Sequence, residues 1–387
     1  MAKKAYDYFD KFTFLCEMYV EEADEIVDLI LNFYPFDNSV QIINPTKGKN
    51  LVKRTQIPTL TLDNLQIGSV IAIFSKLILI KDCAPQTSKQ LFSNMESTFV
   101  LIKPTEPSYY GKIITFIEKH GFRIIRMKNG KLDKNFAMKV YENILGNEML
   151  PIIVDYLTSG EVVGLELFAS NAVEVFRKIL GGTDPKEAAP GTLRRLYGKD
   201  ILKNVAHSCH TLSDAKELAS KFFGKNADGS LKIPYQATLR DCTCCVIKPH
   251  SIQEGNLGHI LELISLDGKF YISAMSMFTV DVSSALEFFE IYKGVLSEYE
   301  AMALNLAEGT CVALEIKATD PSVNVVCEFR KLCGPRDPAV CRQLFPETIR
   351  AKYGKDIIHN CVHCTDLPEE GPLEVEYFFK LLGCKNK

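Results

Sequence analysis

Up to about Lys89, apolar and polar residues alternate along the chain in short runs: FTFLCEMYV, EIVDLILNFY, SVQIINP, TLTL, SVIAIFS and LILI. Alternation at period two marks strands with one buried face. The turn signals Pro35-Phe36-Asp37-Asn38 and Asn44-Pro45-Thr46-Lys47-Gly48 separate the runs; proline presets φ, and Asn, Asp and Gly tolerate turn geometry. A compact, mostly β module over residues 1–92 is expected. The run Ser69–Ile80 (SVIAIFSKLILI) is interrupted by Lys76, so it predicts two paired strands and not a membrane span. The polar stretch Ala84–Ser97 reads as a connector.

The pattern then changes. TFVLI ends in a strand-like stop at Lys103-Pro104, and GKIITFIEKHGF follows with apolar residues at helical spacing. FRIIRMK and VVGLELF read as further strands, and NAVEVFRKILG as another helix. A linker carrying Gly, Asn and Pro (Gly224–Arg240) leads to TCCVI, which ends at Lys248-Pro249. Strands and helices alternating in this way predict an α+β fold with helices covering a sheet. Two such domains are expected, over residues 97–224 and 240–384.

The two domains repeat one segment. YGKDILKNVAHSCH (Tyr197–His210) returns as YGKDIIHNCVHCTD (Tyr353–Asp366) at an offset of 156 residues, which holds to Phe222-Phe223 and Phe378-Phe379. Lys103 and Lys248 are 145 apart, so the second copy gains 11 residues on the way, eight of them before Arg330. Of the seven histidines only His207 and His363 are equivalent. The copies also share Lys103/Lys248, Arg177/Arg330, Arg194/Arg350 and Asn204/Asn360. A lone histidine is usually structural, and a lone Arg or Lys is usually a solvated face. Five polar residues recurring in one order are better explained by chemistry, although common origin alone also preserves residues. Arg forks, a Lys point charge and an amide suit a polyphosphate. A neutral imidazole can attack a terminal phosphorus and split one transfer into two.

Composition narrows the classes. With 387 residues, 47% of them hydrophobic, the chain can build two or three cores. A net charge of −3 argues against a general nucleic-acid binder. There is no apolar run of membrane length and no signal-like N-terminus, so a cytoplasmic protein with no membrane partner is expected. Thirteen cysteines without a framework pattern are expected as thiols. Val205 and Ser208 stand opposite Cys361 and Cys364, so no shared metal site is expected. No GxxxxGK[ST] loop is present, which leaves a Walker-type ATPase unsupported.

Both copies resemble nucleoside diphosphate kinase domains. The resemblance rests on Ile102-Lys103-Pro104, Pro190-Gly191-Thr192-Leu193-Arg194 and Asn204-Val205-Ala206-His207-Ser208-Cys209-His210 in the first. In the second it rests on Ile247-Lys248-Pro249, Pro346-Glu347-Thr348-Ile349-Arg350 and Asn360-Cys361-Val362-His363-Cys364-Thr365-Asp366. It implies two ferredoxin-like βαββαβ domains in tandem and γ-phosphoryl transfer from nucleoside triphosphates (ATP, GTP) to diphosphates. That transfer would run through His207 or His363, with Mg2+ on the bound nucleotide. The implied nucleotide-binding residues are Lys103, Tyr141, Met149, Arg177, Thr183, Arg194, Ile201 and Asn204. Their second-copy counterparts are Lys248, Tyr299, Arg330, Arg336, Arg350, Ile357 and Asn360. The family's histidine-orienting glutamate is Glu374 in the second copy and Leu218 in the first; Glu217, beside it, is expected to point elsewhere on its helix.

A β-rich module followed by two such domains is similar to a ciliary group within this family, through stretches such as LILNFYPFDNSVQIINP and TLDNLQIGSVIAIFSKLILIKD. That resemblance implies cytoskeletal location in the cilium or flagellum axoneme, with tubulin, doublet-microtubule proteins and the γ-tubulin complex as partners. It leaves open a structural microtubule inner protein with weak kinase sites. The short linker predicts a monomer in which the two kinase domains pair as a pseudo-dimer.

Overall fold

The computed structural model describes residues 11–20, 25–34, 39–57, 69–74, 76–84, 94–141 and 148–383, with the single positions 60, 65 and 67. Most of the connector Ala84–Ser97 therefore lies outside the described residues. The chain divides into two compact units, Met1–Met95 and Glu96–Lys387.

The first unit is one antiparallel sheet. Its strands are β1 (Phe12–Val20), β2 (Glu25–Tyr34), β3 (Ser39–Asn44), β4 (Lys49–Gln56), β5 (Val70–Ile73) and β6 (Lys76–Ala84), in the order β4-β3-β2-β1-β6-β5. Alternation decides which face is buried. Phe12, Phe14, Cys16 and Met18 of β1 point inward with Leu29, Leu31 and Phe33 of β2. The run around Lys76 is a tight hairpin, with Ile73 opposite Lys76.

The second unit is an eight-stranded sheet. Its strands are β7 (Met95–Ile102), β8 (Arg123–Gly130), β9 (Val162–Ser170), β10 (Ala206–Ser208), β11 (Thr243–Ile247), β12 (Phe270–Thr279), β13 (Thr310–Ala318) and β14 (Val362–Cys364). The order β10-β7-β9-β8-β12-β13-β11-β14 is one ferredoxin-like half followed by its mirror-ordered copy. The central strand of each half is buried on both faces, which is why TFVLI and TCCVI read as unbroken apolar runs. Phe99 and Leu101 of β7 face one layer of helices, and Val100 and Ile102 face the other.

The halves meet about a local two-fold. β8 pairs with β12 at Lys128 and Ser276. Beside them the helices Ser108–Lys119 and Leu257–Ser265 cross at a glycine from each. A Cβ on Gly111 would lie 2.4 Å from the backbone nitrogen of Glu262, and one on Gly258 would lie 2.2 Å from that of Thr115. Both pairs are related by the same shift, so the contact is isologous within one chain. Thr115 donates to Glu262 across it at 2.5 Å, and the backbone N–H of Gly258 donates to Glu118 at 2.9 Å. The linker is strapped down: buried Glu315 accepts from the backbone N–H groups of Thr238 and Leu239, and Lys128 Nζ donates to Ile233 O at 2.7 Å.

Candidate active site

Each nucleophile candidate sits on the short outer strand of its half. β10 pairs His207 with Leu101, and β14 pairs His363 with Val246. Just before each strand the backbone turns sharply. Val205 has φ 75° and Cys361 has φ 64°, the left-handed region. The N–H two residues after Asn204 donates back to its carbonyl at 2.9 Å, and the same bond recurs at Asn360. Each is a γ-turn around a side chain that ordinarily avoids positive φ, a conformation worth on the order of 1–3 kcal/mol of strain. It persists because Lys103 N–H and Lys248 N–H hold the carbonyls of Val205 and Cys361 at 2.8 and 2.9 Å. A backbone angle leaves no mark in residue identity, so the repeat alone did not reveal this turn.

A cleft of 1180 Å³ opens over His207. Lys103, Tyr141, Met149, Arg177, Thr183, Arg194, Ile201 and Asn204 all line it, as the resemblance implied. Met149 and Ile201 are exposed side chains of its lining. Lys103 Nζ donates to Asn204 Oδ1 at 2.6 Å and to Leu202 O at 3.1 Å. Burial, helped by nearby Arg194, pulls its pKa down to about 7. Arg194 donates to the carbonyls of Gly181, Asn204 and Ala206, so it also braces the γ-turn. A Cβ on Gly181 would lie 2.5 Å from Thr192 Oγ1, which is why only glycine fits there. Among the described residues no ion pair holds Arg177.

His207 is neutral. Burial, then Lys103 and Arg194, drives its pKa to about 3. Behind it lies a second cavity of 360 Å³, lined by Leu218, Glu217, His210, Cys209 and Lys139 among others. Glu217 also lines this cavity, but its carboxylate is tied to Lys221 at 2.8 Å and Lys139 at 3.5 Å, and no hydrogen bond among the described residues joins it to His207.

The second cleft, of 740 Å³, is lined by Lys248, Arg330, Arg336, Arg350, Asn360 and His363. Tyr299 and Ile357 do not line it. Tyr299 packs underneath with its hydroxyl on Leu286 O at 2.9 Å, and the apolar wall is made by Val295, Leu296 and Phe345 instead. The insertion around this segment lets Tyr292 reach the cleft and donate to Asp366 at 2.7 Å. Arg330 is paired with Asp366 at 3.2 Å and Arg336 with Glu298 at 2.9 Å. Burial pulls Lys248 to about 7, with Arg350 adding to it. Asn360 Oδ1 is buried with no partner, an open acceptor in the cleft wall.

Behind His363 the arrangement differs from that behind His207. Glu374 holds His363 Nε2 with both oxygens at 3.0 Å, and Thr365 Oγ1 donates to the same carboxylate at 2.8 Å. Burial opposes a charged ring, but the carboxylate and its hydrogen bond outweigh it and raise the His363 pKa. With Nε2–H donated to Glu374, Nδ1 is the nitrogen left for the cleft.

Comparison with known proteins agrees with this geometry. The family model "Nucleoside diphosphate kinase" matches residues 96–227 and again 241–382. The chain is 38% identical over 377 residues to "Nucleoside diphosphate kinase homolog 7" of Rattus norvegicus, covering 96% of this chain and 94% of that one. The Mus musculus protein of the same name matches to the same extent. "Nucleoside diphosphate kinase" of Saccharolobus islandicus is 37% identical over 134 residues, 34% of this chain and 97% of its own. On these matches, two kinase domains and all, the chain belongs to the nucleoside diphosphate kinase family.

Proposed function

We propose that this chain moves the γ-phosphoryl of a nucleoside triphosphate to a nucleoside diphosphate through a phosphohistidine, and that His363 carries most of the turnover. The observation that supports this best is the Glu374–His363 pair. A fixed tautomer presents Nδ1 to the cleft as a lone pair. That nitrogen attacks the γ-phosphorus, the bond to the β–γ bridging oxygen breaks, and the nucleoside diphosphate leaves; an acceptor diphosphate reverses the step. Glu374 stabilises the positive charge that develops on the ring. Lys248, Arg330, Arg336 and Arg350 face the oxygens over which phosphoryl charge spreads.

Magnesium belongs to the substrate in this reading: it arrives on the nucleotide and neutralises β and γ oxygens. Among the described residues no three His, Cys, Asp or Glu are grouped to hold an ion of their own. The first cleft binds nucleotide through Lys103, Arg177, Arg194 and Asn204, and its unsupported His207 transfers more slowly.

The test is phosphoryl transfer from ATP to GDP by the whole chain beside its His363→Ala and His207→Ala variants. Most activity goes with His363→Ala; equal activity in all three proteins sinks the histidine mechanism. A scaffold reading is favoured by the Arg330–Asp366 and Arg336–Glu298 pairs, which occupy would-be phosphate ligands. Absence of both turnover and acid-labile label in the wild type would establish it. The proposal extends to a single chain as the functional unit, which a hexamer of full chains in solution would overturn. It extends also to a ciliary axonemal setting with tubulin or γ-tubulin-complex partners, on the group resemblance; staining confined to the cell body would count against that.

A further inference from the structure

One contact in the second cleft has no counterpart among the described residues of the first. Tyr292 is fixed from both sides. Its backbone N–H donates to Phe289 O at 2.9 Å, and its own carbonyl accepts from the N–H groups of Val295 and Leu296 at 3.0 Å each. The Phe289 ring beside it is fully buried. From this anchored turn the Tyr292 hydroxyl donates to Asp366 Oδ2 at 2.7 Å. The other carboxylate oxygen, Oδ1, lies 3.2 Å from Arg330 Nη2, and the Asp366 backbone carbonyl accepts from Arg330 Nη1 at 2.7 Å. One residue therefore takes both Nη atoms of the guanidinium, and a tyrosine holds that residue in place. All three side chains line the second cleft. In the first half His210 stands at the place of Asp366 and Arg177 at that of Arg330. Arg177 lines its cleft outside any ion pair among the described residues.

An exposed ion pair by itself is worth little, because solvent screens it and two long side chains must be held still. Here the anchored turn supplies the ordering, the fork is engaged twice, and the bond from Tyr292 ends on a charged acceptor. Burial, and then that same bond, push the Tyr292 pKa up, so the hydroxyl stays protonated and donates.

We propose that Tyr292 and Asp366 form an autoinhibitory latch on Arg330, which a nucleotide must open before this arginine can hold phosphate. The inference rests on reading the second cleft as a nucleotide site. A phosphate oxygen competes with Asp366 for the same two donors, so Arg330 exchanges one acceptor for another. Tyr292 is a positioning residue: it touches Asp366, not phosphate, and sets the fraction of molecules in which the fork is free. The apparent dissociation constant rises in inverse proportion to that fraction. The second cleft then fills at higher nucleotide concentration than the first, and one chain responds over two ranges.

The chain contains no tryptophan, and Val295 is an exposed residue of this cleft's wall. A full-length Val295→Trp chain therefore gives an emission signal from the second cleft. ADP is titrated into it, and into the same chain carrying Tyr292→Phe, Asp366→Asn, Arg330→Gln or their pairs. Asp366→Asn tightens ADP about fivefold, and Tyr292→Phe about threefold. Both changes nearly preserve shape at positions that are not fully buried, so both keep the fold. Two couplings separate a latch from simpler causes. The gain from Asp366→Asn disappears in the Arg330→Gln background, and Tyr292→Phe adds nothing once Asp366→Asn is present. A gain that survives Arg330→Gln is plain repulsion between carboxylate and phosphate and overturns the latch. A Tyr292→Phe chain that binds ADP as before overturns it too, and leaves the nucleotide reading standing. If no variant's emission responds to ADP, and calorimetry on the unsubstituted chain counts a single ADP, the nucleotide reading of the second cleft fails and the latch with it.

Discussion

The first cleft has its outer arginine, Arg177, outside any ion pair among the described residues and its histidine unsupported; the second has its histidine locked and its outer arginines engaged. Arg177 lines an open cleft, but the carboxylates that line the cavity behind His207, Asp214 and Glu217, make no hydrogen bond to its ring among the described residues, and Glu217 is tied to Lys221 and Lys139. Glu374 fills the corresponding space behind His363, while Asp366 and Glu298 hold Arg330 and Arg336. The difference separates two requirements that are usually met together. Binding a polyphosphate needs uncommitted cations, and transferring its terminal group needs an oriented nucleophile. Each half satisfies one better than the other.

The largest effect tests the orienting carboxylate. Glu374→Gln lowers transfer by about 100-fold, the low end for a positioned proton-handling group, while Leu218→Glu raises labelling at His207. If Glu374→Gln turns over like the wild type, the two sites do not differ in the way described. A pH series gives the next effect. In the proposed transfer the neutral ring attacks, so labelling at His363 climbs as pH rises above about 6.5 toward its raised pKa, whereas His207, at about 3, stays flat between roughly pH 5 and 8. The same shift makes the His363–Glu374 pair stabilising below about pH 6.5, with that contribution lost as pH rises through the folded-state value. Parallel profiles for the two histidines would erase the contrast.

Smaller effects concern the cations. Glu298→Gln frees Arg336 and tightens ADP at the second cleft by about threefold, a small effect because solvent screens an exposed pair; an unchanged two-site isotherm would show that Arg336 does not compete for phosphate. Lys103 and Lys248, each pulled to about 7 by burial, gain charge against a bound triphosphate. Nucleotide binding near pH 8 therefore takes up somewhat less than one proton per site, seen as a different calorimetric enthalpy in phosphate and in Tris. Identical enthalpies in the two buffers would remove that coupling.

Much of this was legible because the chain carries its own comparison. The repeat selected His207 and His363, and the first-copy residues it paired, Lys103, Arg177, Arg194 and Asn204, line one cleft. Period-two runs located β1, β2, β3, β5 and β6, and unbroken apolar runs the central strands; β4 went unread because its side chains are nearly all exposed, and the run TLTL lies mostly outside the described residues. Local pattern failed where distant segments meet. Tyr299 was nominated by its place in a segment altered by insertion, and the fold brings Tyr292, Val295 and Leu296 to the cleft instead. The pairs Arg330–Asp366 and Arg336–Glu298 join residues 36 and 38 apart, beyond the reach of any spacing rule.

The paired glycines at the crossing of Ser108–Lys119 and Leu257–Ser265 have one more consequence. In a dimer of identical subunits, any substitution appears on both sides at once, so a change that suits one active site is imposed on the other. Here the two-fold contact is made by two separately encoded surfaces in one polypeptide. A duplicated half can drift, lose its glutamate or gain cysteines, and still find its partner without having to reject copies of itself. Covalent connection thus converts a symmetric pair into two independently adjustable devices, one inheritance carrying two specialisations.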